Sequence, residues 1–378
     1  MGRSSRGAAV VCTFIVLAVG DGTPAAAQAA AAETQKYRVE ARFMFWADAA
    51  ESQSLPDQEQ TISDFFVRRV RVIAQARPTE SLTLYFQVGQ DNIGGKLLTD
   101  DGSIRIKDAY ANYRASNSVQ FCVGQFKIPF LRANLESGFN QLLVDRGTLP
   151  SLRPAREGLR DLGAMAWGNV HALQYRVALF DGSDQEARNS TSSLRASTRV
   201  AYNWFTNENG LSYTGSYLGS TRVLQVAGQL DVQGSRLDPR DEGSFVSRPR
   251  DYRALALEAF FEQPLARAAA LTLDGAWFDR RDDYEDSSLA TRRVQGHYVE
   301  AGFLLPGQIG RGRLQFAVRR EAWDTDRGAI EVSTSRMSAG GTYFLKGHDR
   351  KLQADYTRKR EPAEVRNDEF RLSVVIVF

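Results

Sequence analysis

The sequence predicts an all-β fold, a transmembrane antiparallel β-barrel of sixteen strands, from three observations. From Tyr37 to the last residue, segments of ten to thirteen residues alternate apolar and polar side chains. Short and long connections alternate between these segments, and the first residues have the pattern of a secretory signal. Strict alternation gives a strand one apolar and one wet face. An even number of tilted strands, each of about ten residues, is typical of bacterial outer-membrane barrels.

The first segment shows the pattern clearly, with Val39 and Phe43 on its apolar face and Arg38 and Arg42 on its wet face. The sixteen predicted strands are residues 37–46, 63–77, 81–91, 104–115, 118–127, 158–168, 171–181, 193–205, 222–234, 251–262, 269–279, 295–305, 313–324, 334–345, 351–360 and 367–378. Long loops are predicted at 47–62, 92–103, 128–157, 235–250 and 280–294. The connection 206–221 is long enough to contain a further strand pair. A soluble β-sandwich would have shorter strands, and a propeller would show a repeat of about 40 residues.

Residues 1–27 are predicted to be a signal peptide, which leaves residues 28–378 as one barrel domain. Arg3 and Arg6 supply a basic start. The apolar stretch 8–20 is too short to span a bilayer, and residues 25–27 form an A-x-A cleavage pattern.

The last predicted strand also has a distinctive pattern. Phe370, Leu372 and Phe378 share one face of the last strand, and an aromatic end to such a strand resembles the recognition signal of bacterial outer-membrane barrels.

Composition argues against several other classes of protein. Lys and Arg total 48 against 45 Asp and Glu, a net charge of +3, so a nucleic-acid-binding protein that relies on bulk charge is not expected. Cys12 and Cys122 build neither a disulfide framework nor a cysteine-based zinc site. His171 and His348 fall in turns and His297 on an apolar face, so none is placed to activate a nucleophile. We expect no enzyme activity, no metal and no cofactor.

Strand parity places many cations on wet faces, and a channel that selects anions needs cations along its wall. The candidates for an anion pathway are Arg38, Arg42, Arg69, Arg71, Arg77, Lys127, Arg132 and Arg146. Lys127 comes directly before the 128–157 loop, which carries the last two. Glu258 and Glu321 also fall on wet faces, which leaves open that the cations only brace the wall.

Four tryptophans lie toward strand ends, which predicts interfacial aromatic belts; they are Trp46, Trp204, Trp277 and Trp323.

Four stretches resemble the phosphate-selective porin O/P family of bacterial outer-membrane porins. Residues 65–71 (FFVRRVR) resemble its early arginine-rich strand, 107–113 (KDAYANY) its "KDAY" strand, and 123–130 (VGQFKIPF) its turn into the third loop. Residues 343–345 with 351–356 resemble its final hairpin. The resemblance implies a sixteen-stranded, usually trimeric porin whose third loop folds into the lumen and whose inward Arg and Lys select anions. It does not fix the substrate.

We therefore expect a porin in the outer membrane, surrounded by its lipid, that passes small anions such as phosphate or polyphosphate by passive diffusion. A homotrimer is the expected assembly, and nucleic acid is not an expected partner. Two alternatives remain open: a non-selective general diffusion porin, and a structural or adhesive barrel with a plugged lumen.

Overall fold

The computed structural model describes residues 36–53, 59–96, 98, 102–151, 159–182, 193–236, 250–284, 292–327, 331–360 and 367–378. The predicted signal peptide, residues 1–27, lies outside these ranges. None of the helices in these ranges has the length and apolar character needed to cross a membrane.

The described residues form sixteen strands in one closed antiparallel barrel, which confirms the predicted fold class and strand number. The strands are β1 (Tyr37–Gln53), β2 (Glu59–Ala76), β3 (Leu82–Ile93), β4 (Arg105–Arg114), β5 (Gln120–Lys127), β6 (Arg160–Val170), β7 (Leu173–Phe180), β8 (Arg195–Asn203), β9 (Val223–Arg236), β10 (Arg250–Pro264), β11 (Ala270–Tyr284), β12 (Arg292–Leu304), β13 (Arg313–Arg327), β14 (Glu331–Lys346), β15 (Arg350–Arg360) and β16 (Glu369–Val377). The helix α1 (Arg132–Leu135) is a single turn. Short 3-10 turns lie at Leu149–Ser151 and Ala266–Ala268.

The barrel closes where its first strand pairs with its last. Arg42 of β1 lies opposite Val377 of β16 in the antiparallel ladder. Beyond the strand, the backbones of Ala41 and Phe378 exchange two hydrogen bonds of 2.9 and 3.3 Å. Closure pairs every strand on both sides, so that the sheet has no edge with unpaired backbone groups.

Side chains alternate between the two faces of the wall with a period of two residues. In β10, Leu255 and Leu257 are 48% and 60% exposed, whereas Glu258 and Glu262 on the other face are buried. The exposed apolar face suits the hydrocarbon of a membrane, and the polar face needs partners inside the barrel.

The described ends of the predicted loops 47–62 and 280–294 are strand, which corrects the sequence prediction for those residues. The ladder of β1 and β2 continues to the pair Gln53 and Glu59, and that of β11 and β12 to the pair Asp282 and Arg292. Polar residues occupy both faces of these extensions, so apolar alternation is lost although backbone pairing continues. Periodicity cannot detect strands that are wet on both faces.

Two long connections approach each other from opposite ends of the barrel. Residues 128–151, called here the loop segment, follow β5, and residues 204–222, the turn segment, join β8 to β9. The described turn segment contains no strand, so the further strand pair considered for 206–221 is absent there. Its contact with the loop segment includes an isolated bridge between Glu136 and Tyr213.

The predicted aromatic belts are wrong for two of the four tryptophans. Trp46 and Trp323 are buried on the polar face. The guanidinium groups of Arg68 and Arg371 each lie 4.7 Å from the ring of Trp46. Both planar cations lie over the indole ring, an arrangement that the flat guanidinium favours. Trp204 is 53% exposed, as a belt residue would be.

Candidate functional site

A cavity of about 530 Å³ lies on the polar face of β1 to β7, between the wall and the loop segment. Among the described residues that line it, nine are basic and two, Asp91 and Asp108, are acidic. The basic residues are Arg42, Arg68, Arg69, Arg71, Lys107, Lys127, Arg146, Arg160 and Arg176. This excess gives the cavity a positive potential, which its low-dielectric walls strengthen.

Two β-bulges add cations to this cavity. Met44 pairs with Arg69 while the next residue, Phe45, pairs with Val67, so Arg68 is an extra residue in β2. In the same way Gln87 pairs with Asp108 and Val88 with Ile106, which leaves Lys107 extra in β4. A bulge lets two consecutive residues face the same side of a sheet. Both extra cations therefore line the cavity beside their neighbours.

The carboxylate of Asp91 is shared by three cations of neighbouring strands. Its Oδ1 lies 2.5 Å from Arg71 Nη2 and 4.0 Å from Arg69 Nε, and its Oδ2 lies 3.1 Å from Lys107 Nζ. One carboxylate thus faces three cations.

Asp145 of the loop segment forms ion pairs with two arginines beside Asp91. Its carboxylate oxygens lie 2.9 Å from Arg69 Nη2 and 3.4 Å from Arg68 Nη2. Burial opposes ionisation of Asp145, but Arg69 and Arg68 outweigh burial and hold its pKa well below the usual range. Burial, followed by repulsion from Arg69, lowers the pKa of Arg146 to about 10, so Arg146 is charged at neutral pH.

Several of the lining cations donate to backbone carbonyl groups. Lys127 Nζ lies 2.5 Å from the oxygen of Glu136, and Arg146 Nε lies 2.5 Å from that of Ala133. Arg176 donates to two carbonyls of the turn segment at 2.7 and 2.9 Å. A carbonyl satisfies the N–H group and, unlike a carboxylate, brings no negative charge into the cavity.

Carboxylates of other strands hold the backbone of the loop segment. Glu258 of β10, Glu321 of β13 and Asp355 of β15 each accept a hydrogen bond from a backbone N–H of this segment, at 2.6, 3.0 and 2.9 Å. β10 lies eight strands from β2 in either direction around the ring. The acids that bind the loop and the cations that line the cavity therefore occupy different sectors of the wall.

Five of the eight sequence candidates line the cavity: Arg42, Arg69, Arg71, Lys127 and Arg146. Parity missed Arg68 and Lys107, because a bulge breaks the period of two. It also missed Arg160 of β6, whose Nη2 lies 2.8 Å from Asp108 Oδ2. Adjacent cations do not by themselves indicate a bulge, because Arg319 and Arg320 are adjacent in β13 and pair in regular register.

Three candidates lie outside the lining of this cavity. Arg38 is half-exposed near the start of β1, where it pairs with Glu40. Arg77 follows β2 in the turn to β3, outside the lining of the cavity. Arg132 is buried and pairs with Glu208 of the turn segment at 2.6 Å. Parity predicts which side of the wall a strand residue faces, but it does not predict the position of that residue along the barrel axis. It also does not apply to residues in a loop.

The described residues contain no group of three or more His, Cys, Asp or Glu side chains arranged to hold a metal ion. His171 lies in the turn after β6 with a positive φ of 54°. His348 lies in the turn after β14, where its Nε2 is 2.8 Å from the backbone oxygen of Ser216. His297 is exposed on the outer, apolar face of β12.

The sequence is similar to a known protein family and to an individual protein. The profile of the family described as phosphate-selective porin O and P matches residues 39–237. An uncharacterised protein of Aquifex aeolicus (strain VF5) is 23% identical over 322 residues, which cover 76% of this chain and 73% of that protein.

Solved structures share the fold at low identity. An anion-selective porin from Comamonas acidovorans has a TM-score of 0.58 and 11% identity, with 90% of this chain and 100% of that chain covered. The trimer form of in-vitro folded OmpT, an outer-membrane protein of Vibrio cholerae, has a TM-score of 0.51 and 10% identity, with 91% and 100% covered. The matched profile spans more than half of the sequence and the barrel is that of outer-membrane porins, so the chain belongs to the phosphate-selective porin O and P family.

Proposed function

We propose that this protein passes small anions, phosphate or polyphosphate among them, across the outer membrane by passive diffusion. The observation that carries the proposal is the lining of the cavity, with nine cations and two acids among the described residues. An ion entering the cavity loses part of its hydration, which several of the lining cations replace without binding it too tightly to leave.

The loop segment supports the proposal because it contacts strands on opposite sides of the ring. Asp145 binds Arg69 of β2, and the N–H of Arg132 binds Glu258 of β10. We infer that this segment is the inward-folded third loop expected from the family resemblance and that it narrows the pore beside the basic cavity. Its wall anchors Glu258, Glu321 and Asp355 do not line the cavity, whereas Asp145 pairs directly with two of the cavity arginines.

Residues 1–27 are proposed to direct export and to be removed. A homotrimer is the proposed assembly, supported by the fold shared with the trimer form of Vibrio cholerae OmpT. Cross-linking of the purified protein in detergent tests the assembly, with a trimer band expected.

The test of function is the reversal potential of single channels in a planar bilayer with a potassium chloride gradient. An anion-selective pore gives a reversal potential of the sign set by chloride, and added phosphate should reduce the chloride current by competing for the cavity. A potential near zero would favour the non-selective porin. The close packing of the loop and turn segments favours a second candidate, the plugged barrel, which would show no conductance.

A further inference from the structure

The turn segment, residues 204–222, reaches the basic cavity from the end of the barrel opposite to the loop segment. It follows an even-numbered strand, β8, whereas the loop segment follows β5, so the two start at opposite ends. Leu211 and Ser212 line the cavity. The turn segment is thus one wall of the cavity, and its position affects the width of the path.

The two segments are joined by a buried ion pair. Arg132 Nη1 and Nη2 lie 2.6 and 2.7 Å from the two carboxylate oxygens of Glu208, a bidentate pair. The guanidinium lies 3.5 Å from the ring centre of Phe260 of β10 and 4.6 Å from that of Tyr213. The hydroxyl of Tyr217 donates a further hydrogen bond to Glu208. Two-point contact fixes both distance and orientation, which a single point charge cannot do.

Backbone hydrogen bonds continue the contact between the segments. Tyr213 N donates to Leu135 O at 3.1 Å, and Ser137 N donates to Tyr213 O at 3.1 Å. Gly215 N donates to Asn140 O at 2.8 Å. A Cβ atom at Gly215 would lie 2.8 Å from Asn140 O, so the close approach requires glycine at this position.

The turn segment also forms hydrogen bonds with three strands of the wall, β7, β10 and β13. Glu262 of β10 accepts hydrogen bonds from Tyr217 N and Gly219 N, each at 2.8 Å. Arg313 Nη1 of β13 donates to Leu218 O at 3.0 Å. Arg176 of β7, one of the cavity cations, donates to Gly210 O at 2.7 Å. Movement of the turn segment would therefore move the partners that orient a pathway cation.

We infer that the turn segment is a second constriction element and that Glu208 is a positioning residue, which fixes both segments around the anion path by binding Arg132. The inference rests in part on the proposed anion channel, because selectivity is one of its readouts. Loss of the Glu208 carboxylate removes the bidentate partner of the buried Arg132 and leaves it the longer contact of 3.5 Å between its Nε and Glu136 Oε1, a change strong enough to shift a docked segment toward release by roughly 100-fold.

The test compares wild type, Glu208→Gln and a matched control, Glu80→Gln, in planar bilayers. Glu80 is exposed in the turn after β2, at the end of the barrel from which the turn segment starts, and its variant makes the same change in charge. If Glu208 only contributes a negative charge, its removal raises anion preference at unchanged conductance. If it positions the segments, conductance and open-channel noise rise while anion preference falls, and the control matches wild type.

The two explanations predict opposite changes in anion preference, so the measurement distinguishes them. Unchanged conductance and noise in Glu208→Gln, with anion preference unchanged or higher, would overturn the inference. If Glu208→Gln does not assemble into a heat-modifiable barrel, Tyr217→Phe removes only one hydrogen bond from Glu208 and should give smaller changes of the same sign; no change in that variant would likewise reject the inference. A wild-type channel without anion preference would count against the proposed function, whereas higher conductance and noise in Glu208→Gln would still support the second constriction.

Discussion

Replacing Arg69, Arg71 and Lys127 by Glu should abolish or reverse anion preference while the pore still conducts. All three line the basic cavity, whose described lining has a formal charge of plus seven. Each exchange changes the charge by two, so the triple variant lowers the lining charge by six, to plus one. The acids that hold the loop segment lie in other sectors of the wall and are left in place.

The size of the effect follows from the charge removed. One unit charge at about 8 Å, roughly one Debye length at physiological salt, contributes about 0.2 kcal/mol in a water-like medium after screening. Six charges contribute about 1.1 kcal/mol, which lowers the anion concentration in the cavity about sevenfold and raises the cation concentration by the same factor. The permeability ratio of anion to cation should therefore fall about 50-fold. Replacement of the same three residues by Gln removes half as much charge and should lower the ratio about sevenfold.

Reversal potentials in a potassium chloride gradient measure this ratio directly. The matched control changes two arginines and one lysine to Glu at the short-turn end of the barrel, and these are Arg114, Arg311 and Lys346, all exposed. The control should keep the wild-type ratio. If the Glu variant conducts with wild-type preference, the three cations brace the wall and the assignment of the pathway is wrong.

Other predictions test single features. Arg68→Gln and Lys107→Gln should each lower the permeability ratio about twofold, because each bulge adds one charge to the cavity; no change in either would show that bulge cations do not reach the path. Deletion of Phe378 removes both backbone hydrogen bonds to Ala41 and should lower the heat-modifiable fraction in the membrane, whereas Phe378→Tyr should not. Burial raises the pKa of Glu136 to about 7 against the attraction of Arg132, so the buried side chain is neutral at pH 6 and ionised at pH 8. Anion preference should therefore fall as pH rises through 7, and Glu136→Gln should remove this dependence of the reversal potential on pH. The stability of the docked loop segment should fall as pH rises from the ordinary pKa of 4.5 to about 7 and should level off above it.

Sequence periodicity predicts the barrel well because each membrane-spanning strand must separate a wet face from an apolar face. The same rule places Arg42, Arg69 and Arg71 on the correct side of the wall. It fails at Arg68 and Lys107, because one extra residue in a strand turns two neighbours to one side.

Other features of the site depend on contacts between distant parts of the chain. Arg132 resembles a pathway cation in the sequence, but Glu208, which is 76 residues away, binds it in the interior. Trp46 resembles a belt residue in the sequence, but in the structure its ring packs against the guanidinium groups of Arg68 and Arg371. A local pattern cannot reveal such pairs, since they form only when strands of different sectors face the same enclosed volume.

The pairing of β1 with β16 has a consequence for the order of folding. It joins residues as far apart in sequence as Arg42 and Val377, whereas every other ladder joins strands that are consecutive in the chain. Hairpins between consecutive strands can form early because they close short loops, but the seam closes a loop of almost the whole chain and bears the largest entropic cost. The seam should thus be the last ladder to form, and until it forms the edges of β1 and β16 remain open to pairing with another chain.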